Sequence, residues 1–298
     1  IYVILSVAVF LAVFGLFKNF GANPFPWWDY PELHYGERLM STFGCPNHLA
    51  GYMEMSLPLL LSFFLLGFRP GITFILGYLT LLILVALMLS LSRGGWISTL
   101  LSLAFMAIAL LSSRYFVRKK LLISLIAGSL ILAIVALVST PVVERVKTAM
   151  EKEEEASFYS RVVAWNGVVE MISDYPMVGI GPGTFKTVFT QYQPPGLSAR
   201  FTMAHNDYLH FVSETGLPLI FVMIWMIIAL YRKGFKKLKN PSRLVRATTL
   251  GSMTGITAIL FHSITDFNLH IPANAILFTI LAALVAAPLP IQDSTAGN

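Results

Sequence analysis

Long uncharged apolar runs, each about the length of a membrane span, dominate this 298-residue chain and leave few folds open to it. A helix needs ~20 apolar residues to cross the hydrocarbon core, with a range of ~17–25. About eight stretches qualify: 1–17, 52–68, 71–91, 96–113, 120–139, 216–231, 248–266 and 271–288. Barrel strands would be shorter and would alternate in polarity, and these runs do neither. The sequence therefore predicts an all-α fold, a polytopic transmembrane helical bundle. Composition agrees, with 56% hydrophobic and 12% charged residues and a mean hydropathy of +0.72, against roughly 25% charged residues in a soluble domain. The first run lacks a basic leader and a small-residue cleavage site, so it reads as a spanning helix of a truncated chain and not as a signal peptide. Cys45, the single cysteine, has no internal disulfide partner, and no role is assigned to it.

Basic residues between spans set the expected orientation, because short loops rich in Lys and Arg stay in the cytoplasm. The connection from Arg232 through Lys239 to Arg246 is basic and holds no acid. Alternation from there places the Arg114–Lys120 and Phe68–Gly71 connections on the same side, so three loops agree in phase. The outer side then receives the loop 18–51, the turn at Arg93, the long segment 140–215 and a short loop near His270. The net charge of +6 follows from this topology and gives no support to nucleic-acid binding. Three regions result: transmembrane helices over 1–139, an outer region over 140–215, and transmembrane helices with a tail over 216–298.

The outer region divides by composition. Glu151 to Glu155 form a charge run expected to be solvated. Val162, Trp165, Val169 and Ile172 then recur at helical spacing, which predicts an amphipathic helix over about 159–173, resting on the membrane or on the bundle. Asp174-Tyr175-Pro176 and Gly179-Ile180-Gly181-Pro182-Gly183 break that helix. The glycine run lacks the Lys-Ser/Thr of a phosphate loop and follows no strand, so it reads as a turn.

Spans two, four and six should present their N-terminal, dipole-positive ends outward, where they favour anions. Arg93, followed by Gly94 and Gly95, stands at one such end. There a guanidinium and free backbone N–H groups can meet a phosphate together. Pro46-Asn47-His48 and Glu214-Thr215-Gly216 stand at the other two. Arg161 and His205-Asn206-Asp207 lie on the same expected side, so the conspicuous polar groups of the chain gather at one lipid–water boundary.

These fragments carry a resemblance. Ser41 to Tyr52, Ser92-Arg93-Gly94-Gly95-Trp96, Arg161 with Trp165, Gly179 to Phe185, and Ala204-His205-Asn206-Asp207-Tyr208-Leu209 occur in the order seen in the O-antigen ligase and polymerase superfamily. The likeness covers about Ser41 to Pro272; Cys45 departs from the Asn expected at its position. The resemblance implies a multi-pass glycosyltransferase of the bacterial inner membrane, of the metal-independent kind and without a cofactor. Its donor would be an undecaprenyl-diphosphate-linked glycan and its acceptor a glycan, lipid or protein on the periplasmic side. The 140–215 region would then be a periplasmic loop carrying part of the active site. Relatives in the superfamily usually have more helices.

The chemistry of such a transfer agrees with the residue types. A departing lipid diphosphate needs fixed positive charge, which Arg93 and Arg161 supply. An acceptor hydroxyl benefits from a base poised near neutral pH, and His205 is the candidate. Asn47, His48, Gly94, Asn206, Asp207 and Glu214 are expected to contact substrate, with Asp207 and Glu214 able to orient or replace the base. His262, Asp266 and His270 are spaced four apart and would share a face of an uninterrupted helix, as metal ligands do. Asn268 and Pro272 argue that the helix ends first, so no metal site is assigned and a polar contact supporting the outer cavity is preferred. A transporter or flippase of lipid-linked glycans would also need outward cationic groups, but it should show repeated halves and polar groups at the bilayer midplane, and the chain shows neither. Ligase, polymerase and protein-glycosylating ligase share the donor chemistry and are not separated by these motifs.

Overall fold

The computed structural model describes residues 1–21, 38–113, 115–116, 120, 123–124, 127–128, 141–197 and 200–288, with backbone alone over 141–157. Its described residues are helical without a strand. The helices are α1 (Tyr2–Asn19), α2 (Pro46–Ser62, continued by a 3-10 turn Phe63–Leu66), α3 (Pro70–Leu89), α4 (Arg93–Ser112), α5 (Pro141–Asp174), α6 (Phe185–Val188), α7 (Asp207–Thr215), α8 (Pro218–Lys237), α9 (Arg243–His262) and α10 (Pro272–Ala286).

Local chemistry sets their starts. Pro46, Pro70, Pro218 and Pro272 each open a helix, where the missing N–H costs nothing and the fixed φ already suits the turn. Ser92, Asn206 and Ser242 cap α4, α7 and α9 through side-chain oxygens that accept from Gly95 N, Leu209 N and Val245 N. At the other end of the bundle Lys237 Nζ donates to Leu284 O (2.8 Å) and Ala287 O (3.1 Å), closing α10.

Six of the helices are long and apolar enough to cross a membrane: α1, α2 with its 3-10 extension, α3, α4, α8 and α9. They correspond to six of the eight predicted spans. The eighth is the shorter α10, and most of the fifth, 120–139, lies outside the described residues, as do 22–37 of the outer loop. The protein is a multi-pass helical membrane protein.

Helices α2 and α9 form the centre, both largely buried, while α3 and α8 are mostly exposed along their lengths. In lipid no hydrophobic effect drives helices together, and close packing through small residues takes its place. Gly251 and Gly255, one turn apart on α9, provide it. A Cβ on Gly251 would lie 2.7 Å from the Leu59 Cα, and one on Gly255 would lie 2.5 Å from the Met55 carbonyl oxygen. Around this contact Leu49, Met53, Leu60, Leu250, Met253 and Ile256 fill the principal core.

A second, smaller core lies outside the bundle, where Ala164, Val168 and Met171 of α5 pack on Phe185, Phe189, Ala204 and Val212. The amphipathic helix predicted over 159–173 is thus the last part of the longer α5. Its buried face is turned from the predicted stripe: Val162 and Val169 are exposed, and Ala164 and Val168 take the inward positions. Small side chains are needed there because α5 approaches the following loop closely; a Cβ on Gly167 would lie 2.2 Å from Tyr192 O.

Replacing Gly255 by Leu drives a side chain into the α2 backbone, a clash that relaxation within α9 does not relieve. We expect a cost upward of ~3 kcal/mol, at or beyond the usual range for overpacking. Loss of the monodisperse detergent-extracted protein on size exclusion is the measurement, with the outward-facing Ile228→Leu as the neutral control.

Candidate functional site

At the end of the bundle where α2 and α4 begin and α9 ends, a polar cavity of about 270 Å³ opens. Arg38, Asn47, Arg93, Gly94, Arg161, His262 and Asp266 contribute to its walls, with the exposed apolar Ile97 and Phe158 at its edge. The cation-rich wall comes from three separate parts of the chain.

Asp266, in the turn after α9, organises it. Its Oδ2 accepts from Asn47 Nδ2 at 2.7 Å and its Oδ1 from Phe267 N at 2.9 Å. Arg161 Nη1 lies 3.9 Å from Oδ2 and donates to Thr265 O at 2.7 Å, while His205 Nδ1 lies 3.5 Å from Oδ1. Burial pushes the Asp266 carboxyl upward, but the contact with His205 and the positive charge of Arg161 outweigh it and hold the group well below the usual carboxylate range. Arg38 joins the same network, donating from Nη2 to Asn47 Oδ1 (2.7 Å) and from Nε to Ser90 O (3.0 Å).

Arg93 opens α4 beside the cavity, with the helix N-terminus capped behind it by Ser92. Gly94 is required for space: a Cβ there would come within 3.0 Å of the His262 ring and of Thr265 Oγ1.

His205 has φ +48, a left-handed conformation uncommon for a residue with a side chain. The surrounding contacts impose it. Trp165 Nε1 donates to Ala204 O at 2.8 Å on one side, and Asp207 N donates to Ser263 O at 2.9 Å on the other. The imidazole stands edge-on to Phe267, centroids 4.8 Å apart, and His48 packs on the same ring at 4.8 Å. Strain of this kind, over-determined by its neighbours, is a frequent mark of functional positions.

Not all of the sequence candidates converge here. Asn47, Arg93, Gly94, Arg161 and His205 meet around Asp266. Asn206 is occupied as the cap of α7. Asp207 is buried and accepts from Ser263 Oγ (2.7 Å) and Leu269 N (3.0 Å), with Oδ1 2.6 Å from His270 Nδ1. Glu214 faces the second core, 3.5 Å from His210 Nε2 and accepting from Phe185 N at 3.2 Å. The carboxylates of Asp207 and Glu214 are thus engaged away from the cavity. His48 holds α10 through its carbonyl, which accepts from Asn274 Nδ2 at 3.0 Å.

The spacing of His262, Asp266 and His270 does not produce a metal cluster. Helix α9 ends at His262, and the three side chains turn to Glu54, to Asn47 with Arg161, and to Asp207. Among the described residues no group of three or more His, Cys, Asp or Glu is placed to hold a metal ion. Sequence reasoning missed Arg38 and Glu54 and gave Asp266 only a supporting part. Glu54 carried a usable signal, since an acid inside an apolar span is costly and normally functional or paired.

A larger cavity of about 570 Å³ lies between α5, α7 and α8. Its walls, among them Val169, Ile172, Val212, Met223 and Ile224, are apolar, and none of the groups around Asp266 reaches it.

Fold and site together define a multi-pass membrane protein with an arginine-lined, anion-suited cavity at one end. The O-antigen ligase family model matches residues 78–224, a stretch that includes Arg93, Arg161 and His205. Over that stretch the chain is similar to the O-antigen ligase family; Arg38, Asn47, His262 and Asp266 lie outside it. No curated protein matches the chain.

His210 supplies a pH dependence. Burial, then the neighbouring His270, lowers its pKa from 6.5 to about 4 against the opposing pull of Glu214 and Asp207. A histidine held neutral in the folded state contributes stability that is complete above pH 6.5 and is lost as the pH falls from there toward 4, where the unfolded chain binds the extra proton. Asp266 remains ionised throughout that window. Thermal unfolding followed at pH 7.5 and pH 5 should show a drop for the wild type, and a smaller one for His210→Gln.

Proposed function

We propose that this protein is a glycosyltransferase that moves a glycan from undecaprenyl diphosphate to an acceptor at the periplasmic face of the bacterial inner membrane. The observation that carries this reading is the convergence of Arg38, Arg93 and Arg161 on one cavity at the N-terminus of α4, with His205 beside it across Asp266. Guanidiniums present planar donor forks suited to phosphate oxygens, and a helix N-terminus adds backbone N–H groups. The exposed Ile97 and Phe158 at the cavity edge suit a donor whose head is anionic and whose tail remains in lipid.

In this mechanism Arg93 and Arg161 hold the diphosphate. The acceptor hydroxyl attacks the anomeric carbon as the bond to the phosphate oxygen breaks, and His205 takes the hydroxyl proton. Its Nδ1 edge is held toward Asp266, which fixes the ring and stabilises the imidazolium that forms. Direct displacement inverts the anomeric centre. Ligation to lipid A-core, extension of a polysaccharide and transfer to protein all use this donor chemistry.

Purified protein given an undecaprenyl-diphosphate glycan and candidate acceptors should form product, with Arg93→Ala and Arg161→Ala nearly inactive and the Lys variants only partly restored. His205→Ala should lose ~10²–10⁴-fold in rate with donor binding little changed. Wild-type turnover in Arg93→Ala eliminates the clamp.

The orientation has its own measurement. In a Cys45→Ala background, a cysteine at Met177 should react with an impermeant thiol reagent added to spheroplasts, and one at Lys233 should not, both positions being exposed. The reverse labelling removes the periplasmic site.

A further inference from the structure

Beneath the cavity lies a pair that the mechanism above does not use. Glu54 of α2 and His262 at the end of α9 are both buried, with His262 Nδ1 3.1 Å from Glu54 Oε1. Among the described residues Glu54 Oε2 has no hydrogen-bond partner. The opposite edge of the imidazole faces Gly94: a Cβ there would lie 3.0 Å from Nε2 and from Cδ2. His262 is also part of the cavity wall, beside Arg93 and Arg161.

Proton counting fixes what Nε2 can do. With two protons shared by the pair, a proton on the buried Oε2 would have no acceptor among the described residues, so either Glu54 is ionised beside an imidazolium or Glu54 is protonated on Oε1 and donates to Nδ1. In both arrangements Nε2 carries a hydrogen and the pair as a whole is neutral. With only one proton the pair carries a net negative charge, and Nε2 becomes an acceptor. Burial disfavours an unbalanced charge, so the two-proton state is the resting one and Nε2 is a donor.

The cavity has a use for such a donor. Three guanidiniums line it beside the Asp266 carboxylate, a donor-rich wall that suits the oxygens of a diphosphate. When the bond to the anomeric carbon breaks, its electron pair stays on the phosphate oxygen and the leaving group gains a further negative charge. We propose that His262, oriented by Glu54, donates its Nε2–H to the leaving diphosphate and is a catalytic residue of this site, with Glu54 as its positioning residue. This inference rests on the diphosphate reading given above. It also gives Gly94 a function, since any side chain at that position would stand between the imidazole edge and the anion.

Calorimetric titration of the full chain in nanodiscs with inorganic pyrophosphate, in magnesium-free buffer at fixed pH, tests it. His262→Phe keeps a ring and removes the donor; it should weaken pyrophosphate binding by ~10–100-fold, the range for a hydrogen bond to a charged group. His262→Gln, which retains an N–H donor, should recover part of the loss. Glu54→Gln should weaken binding in the wild-type background and have no further effect in His262→Phe, a coupling that a role confined to packing would not produce. Wild-type affinity in correctly assembled His262→Phe overturns the proposal while the arginine clamp stands. Should His262→Phe not assemble, affinity in His262→Gln decides: a partial loss supports the donor, and a value equal to wild type in both His262→Gln and Glu54→Gln overturns it. Absence of pyrophosphate binding to the wild type, or binding unchanged by Arg93→Ala, overturns the diphosphate reading and this inference with it.

Discussion

One carboxylate holds the polar end of this protein together. Asp266 takes a hydrogen bond from Asn47 at the start of α2, lies beside Arg161 of α5, and faces His205 in the turn before α7. Those three partners are 219, 105 and 61 positions away in the chain, differences read directly from their numbers. A buried charge that loses a partner becomes expensive, ~3–5 kcal/mol for a broken buried pair. Each element is therefore held to the others through a group that none of them can leave. The position of His205 relative to the arginines follows from this arrangement and not from the local sequence of any one segment.

The same device recurs around it. His270 is paired with Asp207, His210 with Glu214, and His262 with Glu54, in each case joining a histidine to an acid within 3.5 Å. The first pair fixes the turn after α9 to α7; the second lies within α7 and faces Phe185 of the second core; the third ties α9 to α2 inside the bundle. Polar side chains that would be liabilities in lipid become specific cross-links when they are matched. Below them the bundle needs little chemistry, because Gly251 and Gly255 let α9 approach the α2 backbone closely at Leu59 and Met55. A rigid helix pair thus carries a rigid polar cap, and a site built on such elements keeps its geometry better than one on loops alone.

The division of labour between the two cores follows. The bundle core supplies the helix ends that deliver Arg93, Asn47 and His262. The outer core, built from α5 and the turns between α6 and α7, delivers Arg161 and His205 from the side. Tight turns make this delivery possible: a Cβ on Gly179 would lie 2.3 Å from the Glu214 carbonyl carbon, and one on Gly216 2.4 Å from Met177 O. Glycine at both places lets the chain after α5 lie directly on the end of α7.

The sequence by itself determined the class of fold, because hydrocarbon imposes span length and apolarity on every crossing segment, and that demand is local. It determined the starts of α2, α4 and α8, where proline or a serine cap stands just ahead of an apolar run, and the end of α5 at Asp174. It also marked Arg93, at a helix start, and His205, in a tight turn; Arg161 stood at the start of the helix expected over 159–173 and lies well inside the longer α5. The tertiary structure decided the rest. Asp266 looked like one member of a four-spaced histidine and aspartate series, yet α9 stops at His262 and the three side chains diverge. Asp207 and Glu214 looked like companions of His205, but α7 turns both carboxylates to partners elsewhere. Arg38 and Glu54 entered only through contacts with residues far along the chain. Helix length and helix starts are written in consecutive residues; which carboxylate meets which cation depends on the direction each side chain leaves its helix and on what that helix packs against, and those are settled only when the bundle closes.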